Sequence, residues 1–297
     1  MADEKIVPTS KGNSVESYSK RNNTDIYIYS GPIGAVDSSF DLSSFFIQKV
    51  LNKKDKKENC LLFLTTYGGN PDAAYKIASI LRSEYKNYNV VICGYCKSAG
   101  TLICLGASKL YFSKIGEIGP LDIQTKKTND FFKQQSGLDL LTFQEIVKGW
   151  TYSAFEHCFI NFTRNSAGII SIDLIVDVAT KLSKDLYAGI ISKVNPTEIG
   201  EIYRALNIAT QYGNHLKSPN VKVGTIDKLV SAYPCHSFVI DKKQSEELFE
   251  EVKPLDNELE MIYNAYKMVL DKPHSLGFVR DVVEDWEKKD ECDENIR

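Results

Sequence analysis

Two short stretches of the chain hold residues that could do chemistry together: Thr65-Thr66-Tyr67-Gly68-Gly69-Asn70-Pro71 and Gly94-Tyr95-Cys96-Lys97-Ser98-Ala99-Gly100-Thr101. Each begins where an apolar run stops and ends where helical spacing starts. A serine between a strand and a helix is exposed by the turn, and the free backbone N–H groups at the helix start can hold an oxyanion. The small residues Ala99 and Gly100 let a carbonyl approach the backbone closely, as a nucleophilic serine requires. Plainer readings stand beside this one: Ser98 as an ordinary N-cap, and Gly68 with Gly69 as a simple turn. Lys97 adjoins the serine in sequence, but on such a turn its side chain should point elsewhere.

For the two stretches to share a site, their strands must lie side by side with their carboxyl ends together, as in parallel α/β sheets. The surrounding sequence predicts such elements. "DIYIYSGPI" alternates from Ile26 and ends at a Gly-Pro turn, reading as a strand. "DLSSFFIQKVL" has helical spacing with Asp41 or a nearby serine as cap, and "KKDKKE" reads as a solvated loop. "CLLFLTT" is a continuous apolar run, which a strand covered on both faces requires. In "PDAAYKIASIL" the residues Ala73, Ala74, Ile77, Ile80 and Leu81 share a helical face, with Asn70 able to cap and Pro71 at the favoured first position. "NVVICGY", "AGTLICLGA" and "KLYFSK" follow as strand, helix and strand, so the order predicts an α/β core with right-handed crossovers.

Beyond "GEIGPLDIQ" the spacing turns helical at roughly 142–165, 171–193, 198–216 and 223–232, then at 243–252 and 255–271, with "SFVID" as a short strand. Residues 1–24 are polar and uneven and read as an arm ordered only by docking, with 25–252 as the main domain. Residues 253–297 read as a helical C-terminal extension with an acidic tail. No internal repeat is visible.

Composition narrows the function. A net charge of -3 argues against a nucleic-acid or anionic-membrane partner, since those need an excess of Lys and Arg. No signal-peptide core and no membrane-length apolar run occurs, and the 7 cysteines are odd in number and sit mostly in apolar runs, as reduced core thiols do. These features point to the cytoplasm. Cys93 and Cys96 have the CxxC spacing, yet both precede the serine instead of opening a helix, which argues against a redox pair. No second pair with zinc-ligand spacing and no phosphate loop is present, so no metal or organic cofactor is expected.

"LTTYGGNPDAAYKIASILR", "CGYCKSAGTLICLGASKLYFSKIGEIGPLDIQ" and "YPCHSFVIDKKQSEELF" recur in an order that resembles the serine dehydrogenase proteinase family, related to signal peptide peptidase A within the Clp-protease and crotonase superfold. The likeness spans roughly residues 25–252. It implies a Clp-protease/crotonase-like spiral of β-β-α units with a helical C-terminal part, assembled as a homo-oligomer, a trimer or hexamer. It further implies a serine protease acting on a peptide or protein substrate, with Ser98 as nucleophile and an oxyanion hole from the N–H of Ala99 and of Gly68 or Gly69.

The base stays open. Clp-protease subunits use a Ser-His-Asp triad, and where that histidine would stand this chain has Asp122, which cannot replace an imidazole near neutral pH. Signal-peptide-peptidase-like enzymes use a lysine, and Lys148 lies fifty residues after Ser98 (148 minus 98). A lysine base must be deprotonated by an apolar setting, which Ile146, Val147, Trp150 and Phe155 could supply; otherwise Lys148 is a solvated helix residue. Among the histidines, His215 and His236 lie in helix-end or loop settings where site residues concentrate, His157 reads as core or surface, and His274 as surface. Two further functions stand against a protease: an inactive oligomeric binding or scaffold subunit, and a crotonase-like acyl-CoA enzyme that uses the oxyanion hole without a nucleophile.

Overall fold

The computed structural model of the protein describes residues 12–121, 124–126, 134–192 and 195–283. The chain divides into two compact units, Met1–Asp122 with Leu206–Arg297 and, between them, Ile123–Ala205. The first unit contains α1 (Gly12–Arg21), β1 (Thr24–Ser30), α2 (Leu42–Asn52), β2 (Asn59–Thr66), α3 (Pro71–Glu84), β3 (Asn87–Cys96), α4 (Ala99–Leu105), β4 (Lys109–Phe112) and β5 (Glu117–Ile118). The second holds β6 (Gln124–Lys126), β7 (Gln134–Ser136), α5 (Gly137–Asn165) and α6 (Ile172–Ile191), and the division falls within α7 (Pro196–Leu216). The first unit resumes with α8 (Thr225–Ser231), α9 (Lys242–Leu248), β8 (Val252–Pro254), α10 (Asn257–Ala265), α11 (Lys267–Leu270) and β9 (Phe278–Asp281).

One sheet, ordered β8-β4-β3-β2-β1-β9 with β5 beside β3, organises the first unit. Every pairing in it is parallel except β1 with β9. The fold is therefore α/β, with a mixed, mostly parallel sheet and a largely helical C-terminal part. The continuous apolar run of β2 is buried throughout from Cys60 to Thr66, as a strand covered on both faces must be. On one face Phe63, Val91 and Cys93 pack with Val15, Ile262, Tyr266 and Leu270.

β1 departs from the alternation its sequence suggests, for all seven of its residues are buried. Its tyrosines tolerate this because their hydroxyls are satisfied: Tyr27 Oη lies 2.7 Å from Tyr85 Oη, and Tyr29 donates to the Pro32 carbonyl at 2.7 Å. The expected caps are in place. Asp41 accepts from the N–H groups of Ser43 and Ser44, and Asn70 from those of Asp72 and Ala73 ahead of Pro71.

Elsewhere non-local contacts reshape the sequence reading. Residues 12–21 of the expected arm form α1, docked on the chain itself: Val15 joins the core and Arg21 pairs with Glu258 of α10. The boundary expected at 253 falls inside β8, which extends the sheet beside β4, and β9 then adds an edge to β1. Residues 253–283 are thus part of the first unit; the acidic tail from 284 lies outside the described residues. The short strand expected at "SFVID" is a single bridge, Ile240 to Ile118, and the helix expected at 255–271 breaks at Tyr266 between α10 and α11. Lys53, expected in a solvated loop, is half-buried because its ammonium turns inward to meet Asp25 and Asp281.

Among the described residues, no helix is long and apolar enough to cross a membrane, and no cluster of His, Cys, Asp or Glu could hold a metal ion.

Candidate active site

β3 ends at Cys96 and α4 begins at Ala99, so Lys97 and Ser98 alone make the turn. The turn is fixed by backbone bonds: Lys97 N–H donates to the Thr66 carbonyl at 3.1 Å, Gly100 N–H to Lys97 at 2.9 Å, and Thr101 N–H to Ser98 at 2.8 Å. Ser98 is thereby held at φ 49°, ψ -110°, a conformation that side chains of L-residues avoid. Although it occupies the N-cap position, its side chain makes no capping hydrogen bond, in contrast with Asp41 and Asn70. The ordinary capping role is not the one found. The hydroxyl is half-buried and has no hydrogen-bond partner among the described residues.

The Gly68-Gly69 turn lies against this serine. A Cβ on Gly68 would stand 2.9 Å from the Lys97 carbonyl oxygen and 3.0 Å from Ser98 Cβ, and one on Gly69 would stand 2.1 Å from the Ile33 carbonyl oxygen. Both glycines have positive φ, 100° and 144°, so neither the space nor the backbone admits a side chain. The two N–H groups differ. That of Gly68 donates to Thr66 Oγ1 at 2.9 Å, whereas Gly69 turns only its neighbours' backbone toward Ile33, and its own N–H has no acceptor among the described residues. The N–H of Ala99 is likewise without one. Thr66, unremarked in the sequence beyond its place in an apolar run, thus selects which glycine N–H is free.

Lys97 does point away from the serine. Its ammonium is 2.7 Å from Glu117 Oε1 and donates to the carbonyls of Phe238, at 3.1 Å, and Ile118, at 3.4 Å. This ties the end of β3 to β5 and to the loop between α8 and α9. Thr101 adds a second tie, donating to the Gly119 carbonyl at 2.8 Å. These partners were invisible in the sequence, since Glu117 and Phe238 lie 20 and 141 residues from Lys97.

The candidate bases belong to different elements. His236 is half-buried in that same loop, two residues before Phe238, so its segment is held at the nucleophile turn through Lys97. His215 ends α7 against α3, where its carbonyl accepts from Arg82 at 3.2 Å and its ring lies 6.4 Å from that of Tyr75. His157 is exposed on α5. His274, expected at the surface, is half-buried: its N–H donates to Ser30 Oγ at 3.0 Å, and its Nδ1 is buried without a hydrogen bond. Asp122 lies outside the described residues.

Lys148 belongs to the second unit, on α5. It borders an apolar cleft of about 540 Å³ between α5 and α6, walled by Tyr152, Phe155 and Tyr187, while Ile146 and Trp150 point to solvent. The ammonium itself is exposed and 2.7 Å from Glu145 Oε1, and that hydrogen bond and charge raise its pKa above the usual lysine value. A lysine held protonated is the opposite of what a general base requires.

Cys93 and Cys96 are both buried free thiols, and Cys96 Sγ lies 3.6 Å from Cys104 Sγ on α4.

No family model matches the chain, and no curated protein does. Among solved structures it is similar to a serine-to-alanine mutant of 1510-N, a membrane-bound stomatin-specific protease, at 16% identity and a TM-score of 0.31, over 54% of this chain and 71% of that one. The likeness is too slight to carry an activity across.

Proposed function

We propose that this protein is a serine hydrolase on a Clp-protease/crotonase-like scaffold, a serine peptidase that cleaves peptide bonds through an acyl-enzyme on Ser98. The observation that carries this reading is the strained Ser98, uncapped and unpartnered, facing a glycine turn with the N–H groups of Gly69 and Ala99 unclaimed. Ser98 Oγ attacks the carbonyl carbon while a base takes its proton, and the oxyanion is held by those two N–H groups. The C–N bond then breaks, the base returns the proton to the leaving amine, and water releases the acid. The peptide class of substrate rests on the sequence motifs.

His236 fits the base better than Lys148. A neutral imidazole has a nitrogen lone pair to accept the serine proton, and the His236 loop is tied to the nucleophile turn, whereas the Lys148 ammonium is kept charged by Glu145. His236→Ala should slow the reaction of Ser98 with an electrophile about 10²- to 10⁴-fold. Lys148→Ala should leave it unchanged; a slow Lys148→Ala beside a normal His236→Ala would reverse the assignment.

The hydrolase reading itself is tested with a fluorophosphonate probe and peptide mapping by mass spectrometry. An adduct on Ser98, lost in Ser98→Ala, is expected. The rival, an inactive binding or scaffold subunit, is favoured by the lack of any base bonded to Ser98 among the described residues, and a folded protein that takes no label would establish it.

A homo-oligomer, trimer or hexamer, belongs to the same reading. It is supported by the apolar side chains that α5 and α6 expose, among them Trp150, Tyr152 and Leu174. Light scattering gives the mass.

A further inference from the structure

Next to the nucleophile turn stands an aromatic pair that the mechanism above does not use. Tyr67 immediately precedes Gly68, and Tyr95 lies three residues before Ser98. Their rings pack at 4.9 Å between centroids and 45° between planes, yet Tyr67 is 58% exposed. A large aromatic side chain left this open, beside a site so tightly built, has a ring face available to a third group.

Its place is set by the backbone. A Cβ on Gly68 would sit 3.0 Å from Ser98 Cβ, and the Cα of Tyr67 is one residue, about 3.8 Å, from that of Gly68. The tyrosine is thus anchored one residue from the glycine that abuts Ser98. The surroundings also define what would bind. Glu117 is paired in register with Tyr95, and its carboxylate is 2.7 Å from the Lys97 ammonium. Desolvation, and after it the charges of Tyr95 and Glu117, raise the Tyr67 pKa above the usual phenol value. The two rings offer flat apolar area, and the Glu117 charge beside them is balanced by Lys97.

We propose that Tyr67 and Tyr95 form the specificity platform for a large apolar, preferably aromatic, side chain on the acyl side of the bond that Ser98 attacks. This rests on the hydrolase reading. The preference follows because an aromatic ring can stack on or meet edge-on the open face of Tyr67, while a small side chain leaves it wet.

The test compares two peptidyl phosphonate diphenyl esters that differ only in a benzyl or a methyl side chain, with a small alkyl fluorophosphonate as a reference for the nucleophile. Labelling of Ser98 by the benzyl probe should be about 10-fold faster than by the methyl probe or more. That ratio should fall towards one in Tyr67→Ala and in Tyr95→Ala, and persist in Tyr67→Phe, which keeps the ring. Equal rates in the wild-type protein, or a ratio unchanged in Tyr67→Ala, would overturn the platform while the reference adduct leaves the hydrolase standing. A Tyr67→Ala that changes the oligomer mass and not the ratio would assign the pair to a subunit contact instead. If even the reference probe fails to label Ser98, both proposals fall together.

Discussion

Ser98 is the residue at which local physics and proposed chemistry pull in opposite directions. A serine at a helix start normally lowers the free energy by capping, but here the backbone is twisted to φ 49°, ψ -110° and the cap bond is not made. Such a conformation costs on the order of 1–3 kcal/mol for a residue with a Cβ. Glycine adopts it without that penalty, though it loses more chain entropy on folding. Ser98→Gly should therefore melt higher than Ser98→Ala, by about 1 kcal/mol in a urea titration, although neither variant can be labelled. Equal stabilities would mean that the turn is unstrained and that the serine conformation carries no functional information.

At the scale of elements, the Lys97–Glu117 pair joins β3, β5 and the loop bearing His236. Both side chains are largely buried, so removing one partner leaves the other charge without compensation, at a cost of about 3–5 kcal/mol for fully buried pairs and less here, where Glu117 retains some contact with water. The interaction should appear in a double-mutant cycle. Lys97→Met and Glu117→Gln each destabilise, and the double variant loses less than their sum by about 1 kcal/mol or more. Lys97→Met should also slow the labelling of Ser98, because the Phe238 carbonyl loses its donor and the His236 loop its tether. Additive stabilities would show that the three segments are not held as one unit.

For the whole molecule, closure of the sheet by β9 depends on charges buried together: Lys53 meets Asp281 of β9 and, at 3.7 Å, Asp25 of β1. Asp25 is also approached by the Tyr85 hydroxyl and the Lys57 N–H, and its Oδ1 makes no hydrogen bond. Burial raises its pKa above the usual aspartate value, outweighing the opposing pull of Lys53, and Asp281 adds to the rise. A carboxyl whose pKa is raised by folding binds its proton more tightly in the native state. Its contribution is present in full below the unfolded pKa and is lost as pH climbs through the folded one. Asp25→Asn removes that loss and keeps a 1:1 pair of Lys53 with Asp281. Its melting temperature relative to the wild-type protein should therefore rise as pH climbs from 4, near the ordinary aspartate value, to 7. A flat or falling difference would show that Lys53 holds Asp25 ionised.

Much of the architecture could be read from neighbours along the chain. The apolar run of β2, the caps Asp41 and Asn70 and the two strand-to-helix junctions depend on residues within a few positions of each other, where periodicity and hydrogen-bonding chemistry act directly. Composition and spacing also pointed to Ser98 and the paired glycines, though not to which plain or chemical role they play. Tertiary structure decided the rest. That Gly68 touches Ser98, that Thr66 claims one glycine N–H and leaves the other, and that Lys97 reaches Glu117 and Phe238 all follow from strands brought together by packing. The docking of α1 and the addition of β9 to the sheet have the same origin, since Val15 packs in one core cluster with Leu259 and Ile262, and β1 pairs with β9, both across more than two hundred positions. A sequence shows the propensity of each segment, but burial and partner choice belong to the contacts, and those exist only once the chain has folded.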